Sequence, residues 1–184
     1  MDTMRLFFAL WPPEDLSRAL AGEANILARR FGGKPMRRET IHLTLAFLGE
    51  LAATRLPAAI DAGRRVDAAS FDLVVDRLGG WRHNHLLWAG CATPSEGLRS
   101  LVTYLREQLC ATTIAFDAAP HFVPHLTLVR KARFTHADVD ERLPRPLVWN
   151  CARFVLVHSR PAAVGREYAI LESFDLSAKR NREA

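Results

Sequence analysis

The chain has 184 residues, 49% of them apolar and 24% charged, and its formal net charge is +5. That length suits about one compact domain with a sizeable core, and the composition excludes a disordered chain, a collagen and a coiled coil. No stretch of about 18 consecutive apolar residues is present, so we expect no membrane span. Arginine makes up 22 of the 25 basic residues, and its planar donor group favours phosphate-bearing substrates.

The cellular compartment is indicated by two features of the chain. The apolar run over 6–11 is too short for a signal sequence and is followed by two prolines, so we interpret it as a buried strand. Cys91, Cys110 and Cys151 are odd in number, widely spaced, and fit neither a zinc pattern nor a disulfide framework. We therefore expect a reducing, cytoplasmic location.

The hydrophobic periodicity predicts strands that alternate with helices. We expect helices over 14–30, 54–68 and 94–110, and strands over 4–11, 40–48, 71–78, 85–91, 125–131, 151–159 and 167–176. Several strands follow one another as hairpin-like pairs, and one such pair is joined by a turn at Gly79-Gly80. This order predicts an α+β fold with antiparallel sheets rather than a doubly wound parallel sheet.

One tetrapeptide occurs twice. His-Leu-Thr-Leu stands at 42–45 and again at 125–128, an offset of 83 residues, and each copy follows an apolar strand and a helix. A repeat of strand, helix and strand indicates two similar halves. We therefore predict two lobes related by a pseudo-twofold axis, with the two tetrapeptides facing each other across a cleft.

The repeated motif carries groups suited to phosphoester cleavage. On a strand, side chains alternate between faces, so His42 shares a face with Thr44, and His125 shares a face with Thr127. A single motif of this kind is commonly structural, but two copies in matching contexts favour a function. One neutral imidazole can take a proton from water while a protonated one gives a proton to the leaving oxygen. The hydroxyls can donate to the phosphate oxygens, and no metal is required.

Paired motifs of this form resemble those of the 2H phosphoesterase superfamily. Their surroundings resemble its bacterial branch of RNA 2′,3′-cyclic phosphodiesterases, also called 2′-5′ RNA ligases. The matching segments are 5–10, 42–49, 87–90, 124–130 and 159–161, followed by Tyr168. The resemblance runs from about residue 4 to 176, and one departure is Val129, where the family often has a smaller residue.

The resemblance implies a single bilobal domain over 1–184, with helices on the outer face of each antiparallel sheet and the active site between the lobes. It implies metal-independent hydrolysis of 2′,3′-cyclic phosphate ends of RNA, or of cyclic nucleotides, to 2′-phosphomonoesters, and reversible 2′-5′ RNA ligation. In such an enzyme His42 is the proton donor and His125 the acceptor, while Thr44, Thr127 and Arg130 hold the phosphate. No cofactor is implied, and we expect a monomer.

Other residues near the motifs allow two interpretations each. Arg130 lies five positions after His125, so strict alternation places it on the opposite face, although a long side chain at a strand end can curl round. Phe8 and Phe47 suit core packing but could stack on a base. Arg37 and Arg38 precede the first motif and could reach RNA phosphates or remain solvated.

The remaining histidines do not indicate a metal site. His83 and His85 would share a strand face, but no neighbouring acidic or cysteine ligand completes a set. His121 and His125 have the spacing of a helical zinc pair, yet adjacent prolines make a helix there improbable. We interpret His136 and His158 as structural or surface residues, and Trp81, Trp88 and Trp149 as core or rim aromatics.

Several other functions compete with this hypothesis. Within the superfamily these are a 2′-5′ oligonucleotide phosphodiesterase and an ADP-ribose cyclic phosphodiesterase. A non-catalytic RNA- or nucleotide-binding module would keep the cleft, but binding alone needs no matched acid and base. A metallohydrolase would show activity that a chelator abolishes.

Overall fold

The computed structural model describes residues 2–118, 122–134, 139–163 and 165–178. Within these ranges the chain forms three α-helices and nine strands. The helices are α1 (Glu14–Phe31), α2 (Leu56–Arg64) and α3 (Glu96–Ala111). The strands are β1 (Thr3–Leu10), β2 (Lys34–Pro35), β3 (Leu43–Ala52), β4 (Phe71–Trp81), β5 (Leu86–Gly90), β6 (His125–Arg130), β7 (Asp140–Cys151), β8 (Arg153–Pro161) and β9 (Arg166–Asp175). No helix among the described residues is long and apolar enough to cross a membrane.

The strands form one antiparallel sheet in the order β7-β4-β5-β6-β3-β1-β8-β9, with the short β2 paired to β6. The order is symmetric about its centre, because β6-β5-β4-β7 runs outward on one side and β3-β1-β8-β9 on the other. The two halves meet where Leu43 of β3 pairs with Leu126 of β6. These leucines occupy the same position in the two tetrapeptides, so the repeat lies about the pseudo-twofold axis. The α+β, two-lobed fold expected from the sequence is confirmed.

The core lies on one face of this sheet. Leu43, Leu45, Leu126 and Leu128 point into it and are at most 2% exposed. Buried residues of all three helices belong to the same cluster. Helix α1 packs against β6, and α3 packs against β3 and β4. Because the helices cover this face, the threonines and histidines of the repeats are left on the opposite, open face.

A β-bulge interrupts each motif strand at the same place. Opposite β1 the pairing passes from Thr44 to Ala46, and opposite β5 it passes from Thr127 to Val129. The extra residue is the last leucine of each tetrapeptide. A bulge places two successive side chains on one face and shifts the alternation beyond it. The third residue after each threonine, Phe47 in β3 and Arg130 in β6, therefore lies on the open face again.

The sequence prediction missed strand β7 entirely. Its segment contains Pro144 and Pro146, which argue against a strand in the middle of a sheet. In the described part of the chain β7 pairs with β4 alone and stands at an edge of the sheet, where a missing backbone donor is tolerated. The strand predicted over 151–159 corresponds to β8, which begins at Arg153, two residues after the end of β7 at Cys151.

The predicted turn at Gly79-Gly80 was also wrong. Both glycines lie inside β4, and the turn follows at residues 82–84, ending on His85 with a left-handed φ of 55°. Gly79 is required because the Trp88 indole lies against it, and a Cβ there would overlap Cζ2 of Trp88. The glycine pair therefore indicates close packing rather than a change of chain direction. The helix predicted over 54–68 is shorter and spans only α2.

Candidate active site

The two motif histidines are held in the same way. Nδ1 of His42 lies 2.8 Å from the carbonyl oxygen of Thr40, and Nδ1 of His125 lies 2.9 Å from that of Val123. A carbonyl oxygen can only accept, so Nδ1 carries the hydrogen in both rings. Nε2 is then the nitrogen that can exchange a proton with a substrate.

All five residues singled out in the sequence line one cavity of about 160 Å³ on the open face. The lining residues are Met36, Thr40, His42, Thr44, Leu86, His125, Thr127 and Arg130. Two imidazoles, two hydroxyls and one guanidinium therefore converge on a space that suits a phosphate group. Strict alternation alone would place Arg130 on the face away from His125, but the bulge at Leu128 shifts the alternation and brings Arg130 to the cavity.

A larger cavity of about 500 Å³ adjoins this one along the β3-β1-β8-β9 half of the sheet. The two cavities share Met36, Thr40, His42, Thr44 and Arg130. The larger one is also lined by Arg5, Phe7, Pro35, Arg37, Phe47, Ser159, Gly165, Arg166 and Tyr168. The guanidinium of Arg5 lies 4.7 Å from the centre of the Phe47 ring. The cavity is large enough for a nucleoside next to the phosphate-sized space.

The two histidines have different aromatic neighbours. The His42 ring lies 4.8 Å from Phe7, 5.1 Å from Tyr168 and 5.3 Å from Trp11, whose indole is parallel to it within 5°. Among the described residues the His125 ring contacts one aromatic side chain, Trp81, at 4.4 Å. The histidines of the two identical tetrapeptides therefore have different surroundings. Such a difference is needed if one of them is to donate a proton and the other to accept one.

Both rings are neutral at neutral pH in the absence of an anion. Burial lowers the pKa of His42 to about 4, and the positive charges of Arg130 and His125 contribute to that lowering, against the hydrogen bond to Thr40. Burial and the Arg130 charge also lower the pKa of His125, against its hydrogen bond to Val123. A bound phosphate oxygen would oppose these effects and raise the pKa of either ring.

The other residues weighed in the sequence fall into separate places. Phe8 is fully buried in the core, whereas Phe47 lines the larger cavity. Arg37 lines that cavity too, whereas Arg38 forms an ion pair with Glu14 at 3.2 Å. Of each pair, one residue therefore lies at the cavity, namely Phe47 and Arg37. The other residue, Phe8 or Arg38, lies away from it.

The remaining histidines do not converge. His83 and His85 lie in and after the turn that follows β4, not on a strand face, so the expected geometry was wrong. His158 accepts a hydrogen bond from Arg160, and His121 and His136 lie outside the described residues. Across the described ranges no group of three histidine, cysteine, aspartate or glutamate side chains could hold a metal ion.

Sequence reasoning did not assign a role to four side chains of this site. Arg166 and Tyr168 line it from β9, Phe7 lines it from β1, and Trp11 stacks on His42 just after β1. Strand alternation is the sequence feature that could have indicated them, because each of these residues is two or four positions from another residue of the open face. Without knowledge of the neighbouring strands, these aromatic and basic residues could not be separated from the core and the surface.

Comparisons with known proteins identify the family of this chain. The family model described as LigT like Phosphoesterase matches residues 10–88. The chain is 33% identical to the RNA 2′,3′-cyclic phosphodiesterase of Escherichia coli (strain K12), over 71% of this chain and 74% of that protein. It is 32% identical to the RNA 2′,3′-cyclic phosphodiesterase of Thermus thermophilus, over 98% of this chain and 94% of that protein.

The fold is also similar to that of a solved structure from this family. The crystal structure of E. coli LigT complexed with 3′-AMP superimposes with a TM-score of 0.83 at 28% identity, covering 95% of this chain and 99% of that one. The chain belongs to the LigT-like phosphoesterase family. The resemblance to 2H phosphoesterases found in the sequence is confirmed.

Proposed function

We propose that the protein is an RNA 2′,3′-cyclic phosphodiesterase that opens the cyclic phosphate at the end of an RNA and leaves a 2′-phosphomonoester. The observation that carries this proposal is the pair of identically held imidazoles in one cavity with Thr44, Thr127 and Arg130. The relatives that carry this name in E. coli and T. thermophilus support the reaction class. The structure of E. coli LigT with 3′-AMP supports a nucleotide in the cleft.

The reaction proceeds by proton transfer at both ends of the phosphorus centre. Nε2 of His125 takes a proton from a water molecule, whose oxygen forms a bond to phosphorus. The bond from phosphorus to the 3′ oxygen breaks, and that oxygen takes a proton from Nε2 of His42. Negative charge grows on the non-bridging oxygens, where the two threonine hydroxyls and Arg130 donate hydrogen bonds.

The surroundings of the two histidines differ. Phe7 and Trp11 stack on the His42 ring and Tyr168 meets it edge-on, so the orientation of the ring is fixed, while burial disfavours its charged form in the free protein. Because the pKa of His42 is about 4 in the free protein, the protonated form is produced when the substrate anion arrives. His125 is neutral before binding, as a proton acceptor must be.

The test is hydrolysis of a 2′,3′-cyclic nucleotide in excess EDTA, with identification of the product isomer. We expect a 2′-phosphate and no loss of rate on chelation. Activity that disappears in EDTA and returns with zinc or manganese would support a metallohydrolase instead. Tight binding of the nucleotide without turnover would support a binding module.

The RNA partner is taken to be any strand with a 2′,3′-cyclic phosphate end. A single domain over 1–184, a monomeric state and a cytoplasmic location remain predictions from the sequence. Gel filtration with light scattering tests the monomer directly. Fractionation of cells that express the full chain tests the location.

A further inference from the structure

The larger cavity has more positive charge than the reacting phosphate accounts for. Four arginines line it, and among these only Arg5 has a carboxylate within ion-pair distance in the described part of the chain, Glu50 at 3.7 Å. No aspartate or glutamate is found in the described lining. Arg130 also borders the phosphate-sized space, which leaves Arg37 and Arg166 without an assigned anion.

Arg166 is fixed before any ligand arrives. Its Nε donates to the Ser159 hydroxyl and its Nη2 donates to the Ser159 carbonyl at 2.9 Å. Ser159 is itself only 4% exposed, so the guanidinium is tied to the paired β8 and β9 strands rather than free in solvent. Nη1 is left without a partner among the described residues, and it carries two donor hydrogens. A guanidinium fixed in this way loses little conformational entropy on binding an anion.

Arg37 reaches the same place from another part of the fold. Its segment is anchored next to β6, where the Met36 amide donates to the Leu128 carbonyl at 2.7 Å. The Arg37 Nη2 lies 3.4 Å from the carbonyl oxygen of Arg166. Two cationic side chains from distant segments thus line one cavity, and both would attract a bound anion.

The second anion can be identified from the shape of an RNA end. The terminal nucleotide of a strand has the cyclic phosphate on its 2′ and 3′ oxygens and one further phosphate on its 5′ oxygen. His42 and Arg130 line both cavities, whereas Arg37, Arg166 and Phe47 line only the larger one. A nucleotide with its cyclic phosphate between the histidines therefore extends towards the two remaining arginines.

We propose that Arg37 and Arg166 form a second phosphate subsite, which binds the phosphate on the 5′ side of the terminal nucleotide. The proposal rests on the proposed function, because the cyclic phosphate fixes the direction of the nucleotide. The subsite makes the enzyme distinguish the end of a strand, or a nucleotide with a 5′-phosphate, from a cyclic mononucleotide with a free 5′-hydroxyl.

The experiment compares kcat/KM for 2′,3′-cyclic AMP with a free 5′-hydroxyl and for the same nucleotide with a 5′-phosphate, at one ionic strength. We expect the wild-type protein to prefer the 5′-phosphate by about tenfold or more, as charge-assisted hydrogen bonds allow. Arg166→Gln and Arg37→Gln should each reduce that ratio by at least about threefold. Ser159→Ala, which keeps the charge but removes one brace, should reduce it less than Arg166→Gln does.

The matched control is Arg29→Gln, because Arg29 is exposed on α1 and lies outside both cavities. It removes the same unit of charge and should leave the wild-type ratio unchanged. A wild-type ratio near one, or an equal fall of the ratio in Arg29→Gln, overturns the second subsite. Failure of the wild-type protein to hydrolyse either nucleotide would instead contradict the proposed function. Thermal unfolding of each variant identifies one that does not fold, and the other arginine variant then decides.

Discussion

Leu43 pairs with Leu126 at the centre of the sheet, and each is the second residue of a His-Leu-Thr-Leu tetrapeptide. The strands that contain them are antiparallel. The register therefore sets His42 towards Thr127, and Thr44 towards His125. Each imidazole thus lies across from the hydroxyl of the other repeat. The cavity that they line is consequently formed by both halves together.

Replacing either motif histidine should abolish most of the activity without unfolding the protein. We expect His42→Ala and His125→Ala each to lower kcat by about 10²–10⁴-fold, because each removes one proton-transfer partner. Both side chains line the cavity rather than the core, so the circular dichroism spectrum should remain that of the wild type. The control is His83→Ala, which removes an exposed imidazole outside both cavities; near wild-type turnover in either motif variant would contradict the mechanism.

The positive charge of Arg130 should set the pH at which the enzyme works. That charge lowers the pKa of both His42 and His125. In Arg130→Gln the pKa of both imidazoles therefore rises, and the bell-shaped profile of kcat/KM moves to higher pH, together with a lower maximum. Arg130→Lys should keep the profile near its original position but still lose rate, because an ammonium lacks the two-pronged donor. An unmoved profile in Arg130→Gln would show that this charge does not reach the histidines.

The sequence predicted the histidines and threonines of the site better than the other residues that line the cavity. His42, Thr44, His125 and Thr127 follow from a local repeat, and strand alternation alone gives their common face. Arg130 could not be placed by that rule, because the bulge at Leu128 lies inside an apolar run and changes the face without changing the composition. The neighbouring apolar pairs at 45–46 and 128–129 are the only local sign of it.

Other parts of the site and fold depend on contacts between distant segments. Phe7 and Arg166 are far apart in the chain, and the pairing of β1, β8 and β9 brings both to the larger cavity. Strand β7 was missed for a related reason. Its prolines are acceptable only at a sheet edge, and the sequence does not show which strand takes the edge.

The protein should lose stability as the pH falls from about 6.5 towards 4. The pKa of His42 is about 4 in the folded protein, below its ordinary value of 6.5, because burial disfavours the charged ring. Between these values the unfolded chain binds more protons, so the free energy of unfolding rises with pH and falls on acidification. Urea unfolding at pH 7 and pH 4.5 measures the difference, which should be smaller in His42→Ala than in the wild type. His83→Ala is the control, and an unchanged pH dependence in His42→Ala would contradict the burial argument.

A single methyl group at Gly79 should disturb the wall beside His125. The added Cβ would overlap Cζ2 of Trp88, so the indole must move. Trp88 packs at 5.5 Å from Trp81, which contacts His125. We expect Gly79→Ala to lower the free energy of unfolding by about 1–3 kcal/mol, as overpacking does, and to reduce kcat. Gly22→Ala on α1 is the matched control, because a Cβ there meets nothing within 4 Å and alanine favours a helix.

The two histidines should differ in their response to a better leaving group. A general acid matters in proportion to how poorly the leaving atom departs, and a sulfur atom in place of the 3′ oxygen leaves without protonation. With that substrate His42→Ala should recover to within about tenfold of the wild-type rate, because its proton is no longer needed. His125→Ala should remain slow, since the attacking water still lacks a proton acceptor.

The comparison requires only single-turnover rates of three proteins on two substrates, with equal concentrations of enzyme sites. The wild type on the sulfur substrate gives the reference, which removes any intrinsic difference in reactivity between the substrates. Equal recovery of both variants, or recovery of His125→Ala alone, would overturn the assignment of donor and acceptor. A 3′-phosphate product from the ordinary substrate would show that the opposite ester bond breaks. In that case the donor and the acceptor would have to be assigned again from a structure with the nucleotide bound.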